Sequence, residues 1–144
     1  MPVQNTSNTD ANLDLIHTLK TIVGASYTIT TASKMEPYSK GWRFGSGDAL
    51  AVVRPVTLLE VWKVLQACEK AGVAIIMQAA NTGLTGGSTP DCKDYDRSIV
   101  IVNTMRIDQI QLIDDAKQII GLPGSTLFGL EETLKPYGLE PNSV

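Results

Sequence analysis

The stretch Gln78-Ala79-Ala80-Asn81-Thr82-Gly83-Leu84-Thr85-Gly86-Gly87-Ser88 follows an apolar run at residues 73–77 and is built from small residues, hydroxyls and amides. A short apolar run bounded by glycine reads as a buried strand. Gly83, Gly86 and Gly87 let the following loop approach a ligand closely or adopt φ > 0. Successive N–H groups in such a turn can form an anion-binding concavity. Thr82, Thr85 and Ser88 add hydroxyl donors, and Asn81 adds amide donors. The loop holds no Lys or Arg. This set of groups suits a pyrophosphate held by neutral donors. It also suits a glycine-rich surface turn, and spacing alone leaves both readings open.

The usual phosphate loops are excluded. A dinucleotide fingerprint needs G-x-G-x-x-G opening a helix, and a P-loop needs Gly-Lys-Ser/Thr. Here a polar segment, residues 89–96, leads to a second apolar run at 99–102. The order is strand, loop, strand, so a helix N-terminus is not the main anion donor.

Upstream, Thr57 and Glu60 fit a capping box. Leu58, Val61, Trp62, Leu65 and Cys68 then recur at helical spacing up to Gly72, which predicts a helix whose apolar face includes Trp62. A strand over 50–53 precedes it. Strand, helix and strand with short links predict a parallel crossover. The glycine loop then lies at the carboxyl end of a strand, where open α/β sheets bind ligands.

Toward the N-terminus, residues 1–12 read as a disordered tail, with Asn12 as cap of a helix over 13–23 that Gly24 stops. Ser33 and Glu36 suggest a short helix limited by Pro37, and 41–48 reads as a loop. Trp42 and Phe44 in that loop either cover the core or face a partner surface. Downstream, 107–113 and 118–122 form two strands joined by a turn at Asp114-Asp115. A last helix carries Leu127, Leu130, Leu134 and Tyr137 on one face, with Tyr137 expected against the sheet.

At 144 residues, 43% hydrophobic, the chain supports one domain with a real core. Its net charge of −3 argues against nucleic acid as a partner. No apolar run reaches the ~20 residues of a membrane span, and no signal peptide is visible. Cys68 and Cys92 lack C-x-x-C spacing and read as free thiols of a reducing compartment. His17 reads as a solvated helix residue, and Asp94, Asp96 and Arg97 as a solvated loop with one ion pair. No residue is assigned to catalysis or to a metal.

The element order, the loop at 79–88 and the later Leu122-Pro123-Gly124-Ser125 resemble the FAD-binding domain shared by vanillyl-alcohol oxidase and p-cresol methylhydroxylase relatives. Over Gly47-Asp48-Ala49-Leu50-Ala51-Val52-Val53, residues 77–88 and Asp94-Tyr95-Asp96-Arg97 the chain is similar to the bacterial respiratory D-lactate dehydrogenases. That resemblance implies an α+β fold: the first lobe of a two-lobed FAD-binding domain, a small mixed sheet with a βαβ unit and flanking helices, over residues 13–144. It implies FAD as cofactor, held at Ala79, Ala80, Asn81, Thr82, Gly83, Gly87 and Ser88. At Ala79-Ala80 many members of the wider family carry Arg and Gly, so a possible charged contact is absent here.

The resemblance further implies an enzyme that oxidises D-lactate to pyruvate and passes electrons through FAD to quinone. Such an enzyme sits peripherally on the cytoplasmic side of the bacterial inner membrane. The second FAD lobe and the substrate domain follow the matched region in that family. This chain alone is then expected to be inactive and to self-associate through a face the second lobe would cover. Two other readings stand beside it: a flavin oxidoreductase of the same fold acting on another 2-hydroxy acid or an alcohol, and a non-catalytic nucleotide-binding module.

Overall fold

A computed structural model describes residues 6–91 and 95–141. Two parallel strands buried on both faces form its centre, β2 (Ala51–Val53) and β4 (Ile99–Asn103). Continuous apolar runs such as Ile99-Val100-Ile101-Val102 suit a strand covered on both faces. β3 (Ala74–Gln78) pairs with β4 in parallel, and β1 (Thr28–Ile29) pairs antiparallel with β2. The sheet order is β1-β2-β4-β3. The expected crossover therefore exists, but β4 lies between the two strands that the crossover joins.

One face of the sheet carries α1 (Thr6–Val23) and α3 (Leu58–Ala71). Leu15, Leu19 and Val23 of α1 recur every four residues and meet Val53, Val64, Cys68 and Val102. The other face carries α2 (Ala32–Ser39), whose Met35 packs with Val52, Ile99 and Ile101. Each fully buried side chain of this size contributes about 1.5–3 kcal/mol relative to exposure. The fold is a mixed α/β arrangement of three layers.

Three helices differ from the sequence reading. α1 begins at Thr6, so 6–12 are helical; residues 1–5 of the expected tail lie outside the described residues. No glycine or proline interrupts 6–12, and Asn12 donates to Ser98 Oγ at 3.2 Å instead of capping. The N-cap of α2 is Thr31, not Ser33, and Pro37 sits inside the helix, two residues before its end. Trp62 is 58% exposed, because the buried side of α3 is formed by Val64 and Cys68.

The ends of α3 behave as read. Thr57 Oγ1 accepts from Glu60 N–H at 3.1 Å, and Glu60 accepts from Val56 N–H at 2.7 Å. Gly72 is left-handed at φ 67°, and Val73 N–H donates to Cys68 O, a Schellman closure.

β5 (Ile110–Ile113) and β6 (Gln118–Gly121) form a separate antiparallel hairpin. Its turn places Asp114, Asp115 and Ala116 at φ 52–64°. α4 (Leu127–Leu134) follows, capped by Thr126. Leu134 is buried, whereas Tyr137 is 59% exposed and does not pack on the sheet. Its residue belongs to a 3₁₀ turn at Lys135–Tyr137, which rotates it off the face of α4.

Candidate functional site

Parallel strands deliver their carboxyl ends to one edge of the sheet. There the loop at 79–88 leaves β3. Its base is a buried polar knot. Gln78, 2% exposed, donates through Nε2 to Tyr38 O and to Ser88 O, both at 2.8 Å. Asn103, its partner in register on β4, donates through Nδ2 to Gln78 Oε1 at 3.1 Å and to Ala79 O at 2.9 Å. Thr104 N–H and hydroxyl both reach Gln78 O. Two amides thereby satisfy each other and clamp both ends of the loop, as buried polar groups require.

Asn81 and Ser88 tie the loop to itself and to its neighbour. Ser88 Oγ donates to Asn81 Oδ1 at 2.8 Å, and Asn81 Nδ2 donates to Lys40 O at 2.9 Å. Their side chains are thus engaged within the protein. Thr82 and Thr85 are exposed, and their hydroxyls make no hydrogen bond among the described residues. The backbone N–H groups of 81–88 likewise donate to no acceptor among the described residues.

The left-handed conformations in the loop belong to Asn81 (φ 56°) and Gly86 (φ 77°), not to Gly83 or Gly87. A Cβ on Gly83 or Gly87 would find the nearest protein atom 3.9 or 4.0 Å away. These two glycines expose bare backbone to open space. Gly86 backs onto Phe44, and a Cβ on Gly45 would fall on the Thr89 hydroxyl. The turn at 41–45 therefore buttresses the loop from behind.

Residues 79, 80, 82, 83 and 87 of the expected set line the outward side of one turn. Asn81 and Ser88 shape it. Unpaired N–H groups, free hydroxyls and glycines without a Cβ fit an anionic group laid against the backbone. Beside the loop an apolar depression of about 240 Å³ lies between Leu58, Met77, Ala79, Ile107 and Pro123. On its other side a depression of about 410 Å³ lies between Pro37, Lys40, Trp42 and Asn81. Trp42 is 81% exposed, and with Phe44 it does not cover the core.

The turn at 122–125 is required by packing. Gly124 N–H donates to Ile107 O at 2.8 Å, and a Cβ on Gly124 would collide with the Thr104 carbonyl. Pro123 of this segment lines the apolar depression beside the loop.

Arg97 Nε pairs with Asp96 at 2.7 Å, which holds the exposed Asp96 carboxyl below its ordinary value; Cys92 and Asp94 lie outside the described residues. His17 is exposed on α1, and no cluster of metal-ligating side chains occurs among the described residues. Cys68 is a buried free thiol. Gln78, Asn103 and Thr104 were not singled out from the sequence. Their signal is polar side chains closing two apolar strands.

A mixed sheet whose three parallel strands end at an exposed glycine loop has the layout of an α/β domain that binds ligands at its carboxyl edge. The family model described as FAD binding domain matches residues 49–142, and the chain belongs to that family, whose cofactor is FAD. The quinone-dependent D-lactate dehydrogenase of Haemophilus influenzae is 62% identical over 130 residues, covering 90% of this chain and 23% of that protein. The Escherichia coli enzyme of the same name is 50% identical over 136 residues, covering 94% and 24%. The chain spans about a quarter of the length of these curated relatives. Among solved structures, p-cresol methylhydroxylase superposes with a TM-score of 0.72 at 16% identity, covering 94% of this chain and 26% of that one. That likeness shows the fold.

Proposed function

We propose that this chain is the first flavin-binding lobe of a quinone-dependent D-lactate dehydrogenase, formed by residues 13–144. The observation that carries the reading is 62% identity across 90% of the chain to an enzyme of that name, coinciding with a loop whose N–H groups are unengaged. FAD would lie with its pyrophosphate against Ala79, Ala80, Thr82, Gly83 and Gly87. Asn81 and Ser88 would hold the loop in shape. Bound FAD would supply the redox chemistry, accepting a hydride from the hydroxy-acid carbon and returning two electrons to quinone.

This chain's residues bind and orient. Gln78 and Asn103 fix both ends of the loop, so its N–H groups are arranged before the ligand arrives. Gly83 and Gly87 permit close approach. Oxidising D-lactate to pyruvate also needs a base for the hydroxyl proton and a cation for the carboxylate. His17, on the exposed side of α1, is assigned neither role. In this reading those groups, the second FAD lobe and the quinone site belong to the part of the relatives that this chain does not span.

No described helix is long and apolar enough to cross a membrane. Reduction of a lipid-soluble quinone by such an enzyme fits peripheral attachment at the cytoplasmic face of the inner membrane. The exposed apolar surface of the chain fits coverage by a second lobe, or self-association where that lobe is missing.

The test is flavin retention. The 144-residue chain and the complete gene product are each mixed with excess FAD and desalted, and the complete product is assayed for quinone reduction by D-lactate. Retained flavin with D-lactate activity is expected of the complete product. Flavin without D-lactate activity would redirect the substrate to another 2-hydroxy acid or an alcohol. Loss of flavin from both samples would overturn the flavin site.

A further inference from the structure

We infer that Arg54, the residue that follows β2, supplies the positive charge for the pyrophosphate held by the glycine loop. The inference rests on the flavin reading above and adds to it a residue outside the loop. A pyrophosphate brings two negative charges to a loop that contains no Lys or Arg. Neutral N–H donors can hold it, and a cation outside the loop would strengthen the hold.

The sheet register points to where. Val52 packs on the α2 side of the sheet, and Arg54, just past the end of β2, lies over the ring of Tyr38 of α2. Val53 is registered with Val102, the last pair of that ladder, and the next residue of β4, Asn103, is registered with Gln78. Arg54 thus leaves β2 beside the Asn103–Gln78 pair, the knot that clamps the loop. Tyr38 connects the same groups from above. Its carbonyl accepts from Gln78 Nε2, and its ring centroid lies 6.0 Å from Arg54 Cζ.

Arg54 has no anionic partner among the described residues. Its Nε is buried without a hydrogen-bond partner. A half-buried guanidinium with no anion is costly, whereas its planar fork matches phosphate oxygens. Arg106, beside it, is already engaged. Its Cζ lies 3.3 Å from the Tyr27 ring centroid, and its Nη1 donates to Arg54 O at 2.7 Å. Arg106 therefore pins the Arg54 backbone and leaves the Arg54 side chain available.

The experiment titrates the apo form of the complete gene product with FAD at low and high salt, for wild type, Arg54→Met and Arg54→Lys. Loss of a charge-assisted contact should weaken FAD binding by about 10- to 100-fold in Arg54→Met. The dependence of affinity on salt should flatten in that variant. Arg54→Lys should restore the salt dependence and part of the affinity. Far-UV circular dichroism checks the fold, and Arg54→Gln serves as the neutral variant if the Met form does not fold. Wild-type affinity and salt dependence in the neutral variant would overturn the role of Arg54 and leave the flavin site standing. Failure of the wild-type protein itself to bind FAD would overturn both, and the wild-type titration shows which case holds.

Discussion

Gly83 and Gly86 lie three residues apart in one loop and meet different demands. Gly86 needs its hydrogen because its φ is 77° and Phe44 lies behind it. Gly83 has ordinary φ and open space before it. Gly83→Val should therefore leave stability within about 0.5 kcal/mol of wild type while abolishing flavin binding by the complete protein. Gly86→Val should lower stability by about 1–2 kcal/mol. Denaturant midpoints and retained flavin, measured on the same two variants, check both; unchanged flavin in Gly83→Val would move the pyrophosphate elsewhere. The loop itself was readable, because small residues and hydroxyls after an apolar run leave few other uses. The division of labour inside it was not. Asn81 takes a left-handed φ that glycine was expected to take, and its amide bonds to Lys40, forty-one residues away in sequence. No local pattern encodes a partner at that separation.

Among the elements, α3 was the most legible and also misleading. Its cap and its Gly72 stop are local chemistry and were read directly. Removing the cap with Thr57→Ala should cost about 1 kcal/mol, read as a shift in denaturant midpoint with unchanged slope. Its inward face was not legible. Apolar residues occupy two stripes, one through Val64 and Cys68 and one through Leu58, Leu59 and Trp62, and only the first meets the sheet. Periodicity gives the spacing of a stripe but not what it faces. Cys68, on the inward stripe, has its thiol pushed by burial from 9.0 to about 11. The unfolded chain loses that proton first, so the linked stability is complete below pH 9 and declines as pH rises toward 11. The loss amounts to something on the order of 2–3 kcal/mol. Unfolding at about pH 8 and about pH 10.5, for wild type and Cys68→Val, should show a steeper decline in the wild type. Parallel declines would remove the thiol from the account.

At the scale of the molecule, the outward stripe of α3 and the apolar depression beside Met77 and Pro123 form an uncovered patch at the same edge as the glycine loop. The isolated chain should self-associate through it, giving a sedimentation mass that rises with concentration, and Trp62→Glu should reverse the effect. A monomer at all concentrations would show that the patch is tolerated by itself. The class of fold was legible because strand, helix, strand with short links admits few arrangements. The strand order was not, since β4 enters between β2 and β3 and nothing in its own residues states its neighbours. That placement has a kinetic consequence. The central strand of the sheet is also the last of its four to leave the ribosome. Until Ile99–Asn103 emerges, β2 and β3 have no strand between them and present bare apolar edges. The growing polypeptide should thus wait in a chaperone-dependent state and then close in one late step. Nascent chains arrested before residue 99 should remain sensitive to protease, and those extended well past residue 125 should become resistant together across β2, β3 and β4.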